Sequence, residues 1–273
     1  MARNYRFFLR NADSAKLLQQ HKDAVHLSED MEPEIIFQLV KVLRVKPGDL
    51  VTLIPSNSGG HSDADAGGGI FHEYIFEVVT ASKTALELLP KDVRTNSNEL
   101  SFNLNLLLCL PNKPDKLEFI LQKSVEIGVK NITLLESDFS QMKHQLRMDR
   151  LQKIIIEAAE QSERAAVPTL TVQGNLTKFL TSAAAPENIW VAVERLNGLG
   201  RPNGKASSNL NPFASNDLKK GITILVGPEG GFSEAEKKLF DDLHLHAFSL
   251  GKRILRMETA AVVSLGLAAF LDA

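Results

Sequence analysis

From residue 104 onward the chain alternates short apolar runs with apolar residues at helical spacing, and this alternation limits the accessible folds more than any other feature. Residues 104–110 read LNLLLCL, too uniformly apolar for a strand with a wet face. Leu117, Ile120, Leu121, Ser124 and Val125 then recur as one face of a helix. NITLLES, from Asn131, is a second strand, and Leu151, Ile154, Ile155, Ala158 and Ala159 make the stripe of a second helix. Residues 189–194, 222–227 and 246–250 are further strand candidates, and an apolar helix is expected over 259–271. The pattern predicts an α/β fold, with a mostly parallel sheet covered on both faces.

The first 92 residues follow a different pattern. VHLS, DLVTLIP, YIFEVVTA and TALELLP each collect β-branched or aromatic residues over a few positions. A short helix is expected over 32–42, with Pro33 in its first turn, and Lys46-Pro47-Gly48-Asp49 signals a turn. The expectation is a small β-barrel domain over 1–92, a linker, and an α/β domain over 100–273. Two tracts are too polar and glycine-rich to pack: 56–69, read as a hairpin tip, and 196–216, read as a flexible insertion.

The bulk numbers exclude several classes. Of 273 residues 44% are apolar and 23% charged, as in soluble globular proteins. No apolar run is long enough to span a bilayer, and the N-terminus has no apolar signal core. The single cysteine, Cys109, lies in an apolar run and reads as a core thiol. A cytoplasmic protein is expected, with no membrane partner. The formal net charge of −2 argues against diffuse phosphate binding but leaves local clusters. Arg3, Arg6 and Arg10 form one, and Lys252, Arg253 and Arg256 another. The histidines are scattered, so no metal site is expected.

Chemistry concentrates in two segments. In ITILVGPEGGFSEAEKKLF a strand ending at Val226 meets the turn Gly227-Pro228-Glu229-Gly230-Gly231. Three glycines leave the main chain bare to a ligand, and parallel sheets place ligands at strand carboxyl ends. Ser233 and Glu236 form an S-x-x-E capping box that starts the next helix. A tight turn without ligand stays open for the glycines alone. A phosphate loop is disfavoured, because Phe232 and Ser233 stand where Lys and Ser/Thr belong. The second segment, LGKRILRMETAA, interleaves Lys252, Arg253, Arg256 and Glu258 with Ile254, Leu255 and Met257. The apolar residues fix the loop to the core, so the charges point into a shared space. Lys123 with Glu126, and Glu157, Gln161 and Arg164, lie on polar helix faces.

Together these segments resemble the RsmE family. Val42-Leu43-Arg44 before Lys46-Pro47-Gly48-Asp49 is similar to its VLR-x-x-x-GD turn. Lys123, Glu126, Gly128 and Val129 resemble its QK-x-x-ELGV helix, with Ile127 in place of Leu. Glu157, Ala158, Ala159, Gln161, Ser162, Arg164 and Pro168 resemble its EAAEQ-x-x-R-x-x-x-P helix. Gly227 to Gly231 matches GPEGG, and Gly251, Arg253, Leu255, Arg256, Glu258, Thr259 and Ala260 match LG-x-R-x-LR-x-ETA. The last two motifs are specific as a pair.

The resemblance implies a SPOUT-type domain with a C-terminal trefoil knot, preceded by a PUA-like RNA-binding barrel, in a homodimer. It implies transfer of a methyl group from S-adenosylmethionine to N3 of a uridine in small-subunit (16S) ribosomal RNA. The cofactor would meet Val226, Gly227, Pro228, Glu229, Gly230, Gly231, Leu250, Gly251, Ile254, Leu255, Thr259 and Ala260. Arg256 is the candidate stabiliser of charge on the uracil oxygens, and Arg253 a phosphate or base contact. Glu258 orients Arg256, accepts the proton, or only starts the last helix; all three stay open. Arg3, Arg6, Arg10, Arg44, Lys123 and Arg164 are the candidate RNA contacts. Two alternatives remain: a SPOUT enzyme acting on a ribose 2′-oxygen or on transfer RNA, and a non-catalytic assembly factor. The tracts 56–69 and 196–216 are departures from the family's pattern.

Overall fold

The computed structural model describes residues 3–18, 23–55, 71–141, 145–195, 213 and 218–272. Among these, residues within 1–64, 69–99 and 159–167 form one compact unit, and those within 100–158 and 168–273 a second.

The first unit is built on one sheet. Its elements are β1 (Asn4–Leu9), α1 (Ala12–Leu17), β2 (Val25–Ser28), α2 (Pro33–Ile36), β3 (Leu50–Pro55), β4 (Phe71–Ala81) and β5 (Ala85–Asn96). The strand order is β1-β3-β4-β5-β2, with β1 parallel to β3 and the other pairs antiparallel. Phe7, Leu9, Val51, Leu53, Phe76, Val78, Leu86 and Leu88 fill the core, with Ile35, Ile36 and Leu39 packed among them. β1 carries arginine beside apolar residues and does not alternate cleanly, so no strand was expected there. β5 runs past the expected stop at Pro90. That proline pairs with Phe76 at a register shift, where a strand can accept a residue without an N–H. The helix expected over 32–42 begins on schedule but widens into a π-helical turn, Phe37–Val42, and the Leu43 N–H donates to the Gln38 carbonyl at 2.8 Å. β3 and β4 are the arms of the expected hairpin; its tip, 56–69, lies outside the described residues.

The second unit alternates strand and helix. It comprises β6 (Leu104–Cys109), α3 (Pro114–Ile127), β7 (Asn131–Glu136), α4 (Met148–Gln161), β8 (Thr169–Asn175), α5 (Leu176–Leu180), β9 (Ile189–Ala192), β10 (Ile222–Val226), α6 (Glu234–Asp242), β11 (His246–Phe248) and α7 (Met257–Ala269). The last residues of α4, from Ala159, belong with the first unit. The sheet order is β11-β9-β10-β6-β7-β8, and every pair is parallel. All five residues of β10 are buried, as a central strand covered on both faces requires. β8 was not expected: it is an edge strand with an exposed polar face, and so lacks an apolar run. α3 starts with Pro114 in its first turn and stops at Gly128, whose φ of 108° only glycine adopts readily. The insertion 196–216 lies outside the described residues apart from Phe213. That ring is buried edge-on against Trp190 and Phe248. Among the described residues no helix is long and apolar enough to cross a membrane.

Candidate functional site

β10 and β6 are neighbours, but the chain leaves β6 toward β7 and β8, whereas β9 and β11 lie on the far side of β10. Such a reversal opens a crevice at the carboxyl ends of parallel strands. A cavity of about 510 Å³ lies there, lined by the residues that follow β9, β10 and β11 and by the start of α7. Val226, Gly227, Pro228, Glu229, Gly230 and Gly231 form one wall; Leu250, Arg253, Ile254, Leu255, Arg256, Glu258 and Ala260 also line it.

The glycine turn is held from behind. A Cβ on Gly227 would come within 2.8 Å of the Phe232 ring, so any other residue would have to displace that ring. Gly231 has a φ of 70°, in the left-handed region. Ser233 and Glu236 form the capping box in full: Glu236 N–H donates to Ser233 Oγ at 3.2 Å, and Ser233 N–H to Glu236 Oε2 at 2.8 Å. The other Glu236 oxygen accepts from Asp138 N–H at 3.0 Å, which ties the turn to the loop after β7. Glu229 accepts from Asn112 N–H at 3.1 Å and from Lys116 Nζ at 2.6 Å, joining the glycine turn to the segment after β6. Burial pushes the Glu229 carboxyl up, but the Lys116 ammonium and the backbone N–H donors outweigh it and hold the group below the usual carboxylate range. Cys109 is buried, and burial with the nearby Glu236 charge pushes its thiol far up, so it is an inert core residue.

The charged wall is open. Arg253 and Arg256 are exposed, and neither has an ion-pair partner among the described residues. Glu258 lies in the first turn of α7, but no side chain caps that helix, and Glu258 Oε2 is buried without a hydrogen-bond partner. A buried unpaired carboxylate oxygen is costly unless a ligand completes it. Among the described residues no group of three or more His, Cys, Asp or Glu is placed to hold a metal.

The RNA methyltransferase domain family matches residues 98–269. Ribosomal RNA small subunit methyltransferase E of Synechocystis sp. is 30% identical over 230 residues, 83% of this chain and 68% of its own. The protein of the same name from Bacillus subtilis is 28% identical over 241 residues, 85% of this chain and 86% of its own. The chain belongs to the RsmE family. Among solved structures, ribosomal RNA small subunit methyltransferase E from Neisseria gonorrhoeae, bound to S-adenosylmethionine, shares 27% identity, covers 98% of this chain and 97% of its own, and superposes with a TM-score of 0.73.

For an RsmE chain, the structure sorts the sequence candidates unevenly. Gly251 and Thr259 do not line the cavity. Gly251 turns the backbone at a φ of 112°, and its carbonyl accepts from Ser249 Oγ at 3.2 Å. Thr259 follows Glu258 by about 100° around the helix, which carries it into solvent. Arg164 is buried at 3% exposure and Arg6 is half-buried; both spend their guanidinium groups inside the first unit, so neither is a free RNA contact. Arg10 pairs with Glu34, and Lys123 with Glu126 at 2.8 Å. Arg3 and Arg44 are exposed. Lys116, Arg195, Lys237 and Ser249 line the cavity and were not singled out in the sequence, and Phe232, noted there only as a departure from a phosphate loop, lines it too. Arg195 was findable, because it follows an expected strand at its carboxyl end.

Proposed function

We propose that this protein transfers the methyl group of S-adenosylmethionine to N3 of a uridine in small-subunit (16S) ribosomal RNA. The observation that carries the reading is one cavity shared by the bare glycine turn, two unpaired arginines and a carboxylate oxygen without a partner.

The cavity fits the cofactor. Its volume lies within the range of about 300–1,000 Å³ usual for small-molecule sites. Val226, Gly227, Leu250, Ile254, Leu255 and Ala260 offer apolar side chains and exposed main chain, suited to a nucleoside. When bound, S-adenosylmethionine supplies an electrophilic methyl on a sulfonium. The chain must then position the uridine and manage its charge. Uridine N3 is a poor nucleophile until it loses its proton, and negative charge then spreads onto the uracil oxygens. Arg256 stabilises that charge, and Arg253 binds phosphate or base. Of the three roles open to Glu258, proton acceptor is favoured. Glu258 makes no ion pair with Arg256 and no capping bond, and its inner oxygen stands unoccupied by any donor.

On the same reading, the second unit is a SPOUT-type domain with a trefoil knot, and the first a PUA-like RNA-binding barrel. The protein works in the cytoplasm as a homodimer. The likeness to the Neisseria gonorrhoeae enzyme over 98% of this chain supports the architecture. Exposed Val263 in α7 and Phe270 at its end support a second subunit, because they leave apolar side chains uncovered. Nucleoside analysis of ribosomal RNA from a deletion strain tests the function. N3-methyluridine should disappear at one small-subunit position and return with the wild-type chain; an unchanged level overturns the proposal.

A further inference from the structure

We infer that the helical corner over residues 37–46 of the first unit is a stacking platform for an unpaired base of the RNA substrate. Phe37 is its ring, and Lys41 and Arg44 are its phosphate contacts. The inference rests on reading the protein as an RNA methyltransferase.

Three independent features meet at this corner. Phe37 is 52% exposed and Val42 60%, although their neighbours Ile35, Ile36 and Leu39 are fully buried. The backbone there is a π-helical turn, Phe37–Val42, a rare form that recurs at functional sites. Four residues on, Lys41 lies over Phe37, with Nζ 5.5 Å from the ring centre. Immediately beyond it, Arg44 is exposed and holds a φ of 54°, left-handed for a side chain that disfavours it. The helix end, closed by Val45 N–H donating to the Leu39 carbonyl at 3.0 Å, accounts for the Arg44 backbone but not for the open ring of Phe37.

Charge selects the partner. Residues 35–48 contain Lys41, Arg44 and Lys46 and no acidic residue, in a chain of net charge −2. The next acid, Asp49, spends its oxygens on the backbone N–H groups of Lys46, at 3.0 Å, and Arg3, at 3.4 Å. Glu34, just before this stretch, is already paired with Arg10, and an exposed aromatic ring with a cation over it, in a locally basic stretch, matches a nucleic acid whose bases are free to stack. Duplex RNA hides its base faces, so the occupant is a single-stranded segment. On binding, the Lys41 ammonium exchanges the ring for a phosphate.

The test uses the full chain with a small-subunit ribosomal RNA transcript. Phe37→Leu keeps the apolar volume and removes the ring. Its KM for RNA should rise about tenfold, the loss of one base–aromatic stack, while the KM for S-adenosylmethionine and the melting temperature stay unchanged. Phe37→Trp should restore the RNA KM. The pair Lys41→Ala with Arg44→Ala should weaken RNA binding and reduce its salt slope by up to about two. An unchanged RNA affinity in Phe37→Leu overturns the inference. So does a loss of self-association in sedimentation without loss of RNA affinity, which would assign the corner to a second copy of this chain. Methylation by the wild type in the same assay reports separately on the proposed function. If the wild type were inactive, direct binding of an unpaired oligouridine would still decide the platform.

Discussion

Arg164, in the segment 160–167, and the two arginines of 253–258 lie in opposite surroundings. In the first segment the arginine is answered from within. Arg164 is buried and donates to both oxygens of Glu99, and Glu99 also accepts from Ala165 N–H at 2.9 Å and Ala166 N–H at 3.2 Å. Arg6 reaches Glu73 at 2.6 Å and the Arg164 carbonyl. Asn96 donates to Glu73 at 2.6 Å and to the Glu163 carbonyl at 3.1 Å. In the second segment Arg253 and Arg256 are exposed and without an ion-pair partner among the described residues, and Glu258 keeps a buried oxygen with no donor among them. Burying a polar group is unfavourable unless it is satisfied. The satisfied cluster is therefore scaffold, and the unsatisfied one waits for a ligand.

The largest effect should come from the scaffold. Arg164→Ala leaves the half-buried Glu99 without its guanidinium partner, held only by two backbone donors, and should cost about 3–5 kcal/mol of stability, read by denaturant unfolding. The kcat per folded molecule should be unchanged. Retained stability with weakened RNA binding would break the comparison, by making Arg164 a ligand contact after all. Arg256→Ala should do the reverse, with kcat lower by about 10²–10³ and the unfolding midpoint unmoved. Full activity with normal RNA binding would remove Arg256 from the chemistry. Glu258→Gln keeps the shape of the side chain. Loss of a proton acceptor predicts a kcat lower by about 10², with stability equal to or above wild type. A lower melting temperature with normal kcat would instead give Glu258 to the start of α7.

The same contrast explains what could be read from the sequence. The αβ alternation, the capping box at Ser233 and the glycine turn are local patterns, and the structure holds them where expected. The fate of Arg164 is not local: its partner Glu99 lies 65 residues away, and a polar helix face gives no sign that it will be buried. Lys116, in the first turn of α3, and Arg195, after β9, reach the cavity because β6 and β9 flank β10, an order the sequence does not print. β1 stayed hidden because its arginine points to an internal carboxylate rather than to water. Thr259 and Gly251 match the motif without lining the cavity for a simpler reason. A motif names consecutive residues, whereas a helix start and a tight turn each present only some of them to one side.

Glu229 stands between the two cases: a satisfied charge inside the open site, and the source of the smallest expected effect. Its carboxyl is held below the usual range once Lys116 and the backbone donors overcome burial. A depressed folded value means the unfolded chain binds the proton more readily. The stabilisation is therefore complete above the unfolded value, near about 4.3 for a glutamate, and is lost as pH falls through the folded one. Melting curves of wild type and Glu229→Gln should differ at neutral pH and converge below about pH 4. Lys116→Met should remove most of the difference at neutral pH by itself, because it removes the ammonium partner. If Glu229→Gln instead raised the KM for S-adenosylmethionine and left the melting curve unchanged at every pH, Glu229 would belong with Glu258, as a group kept for the ligand rather than for the fold.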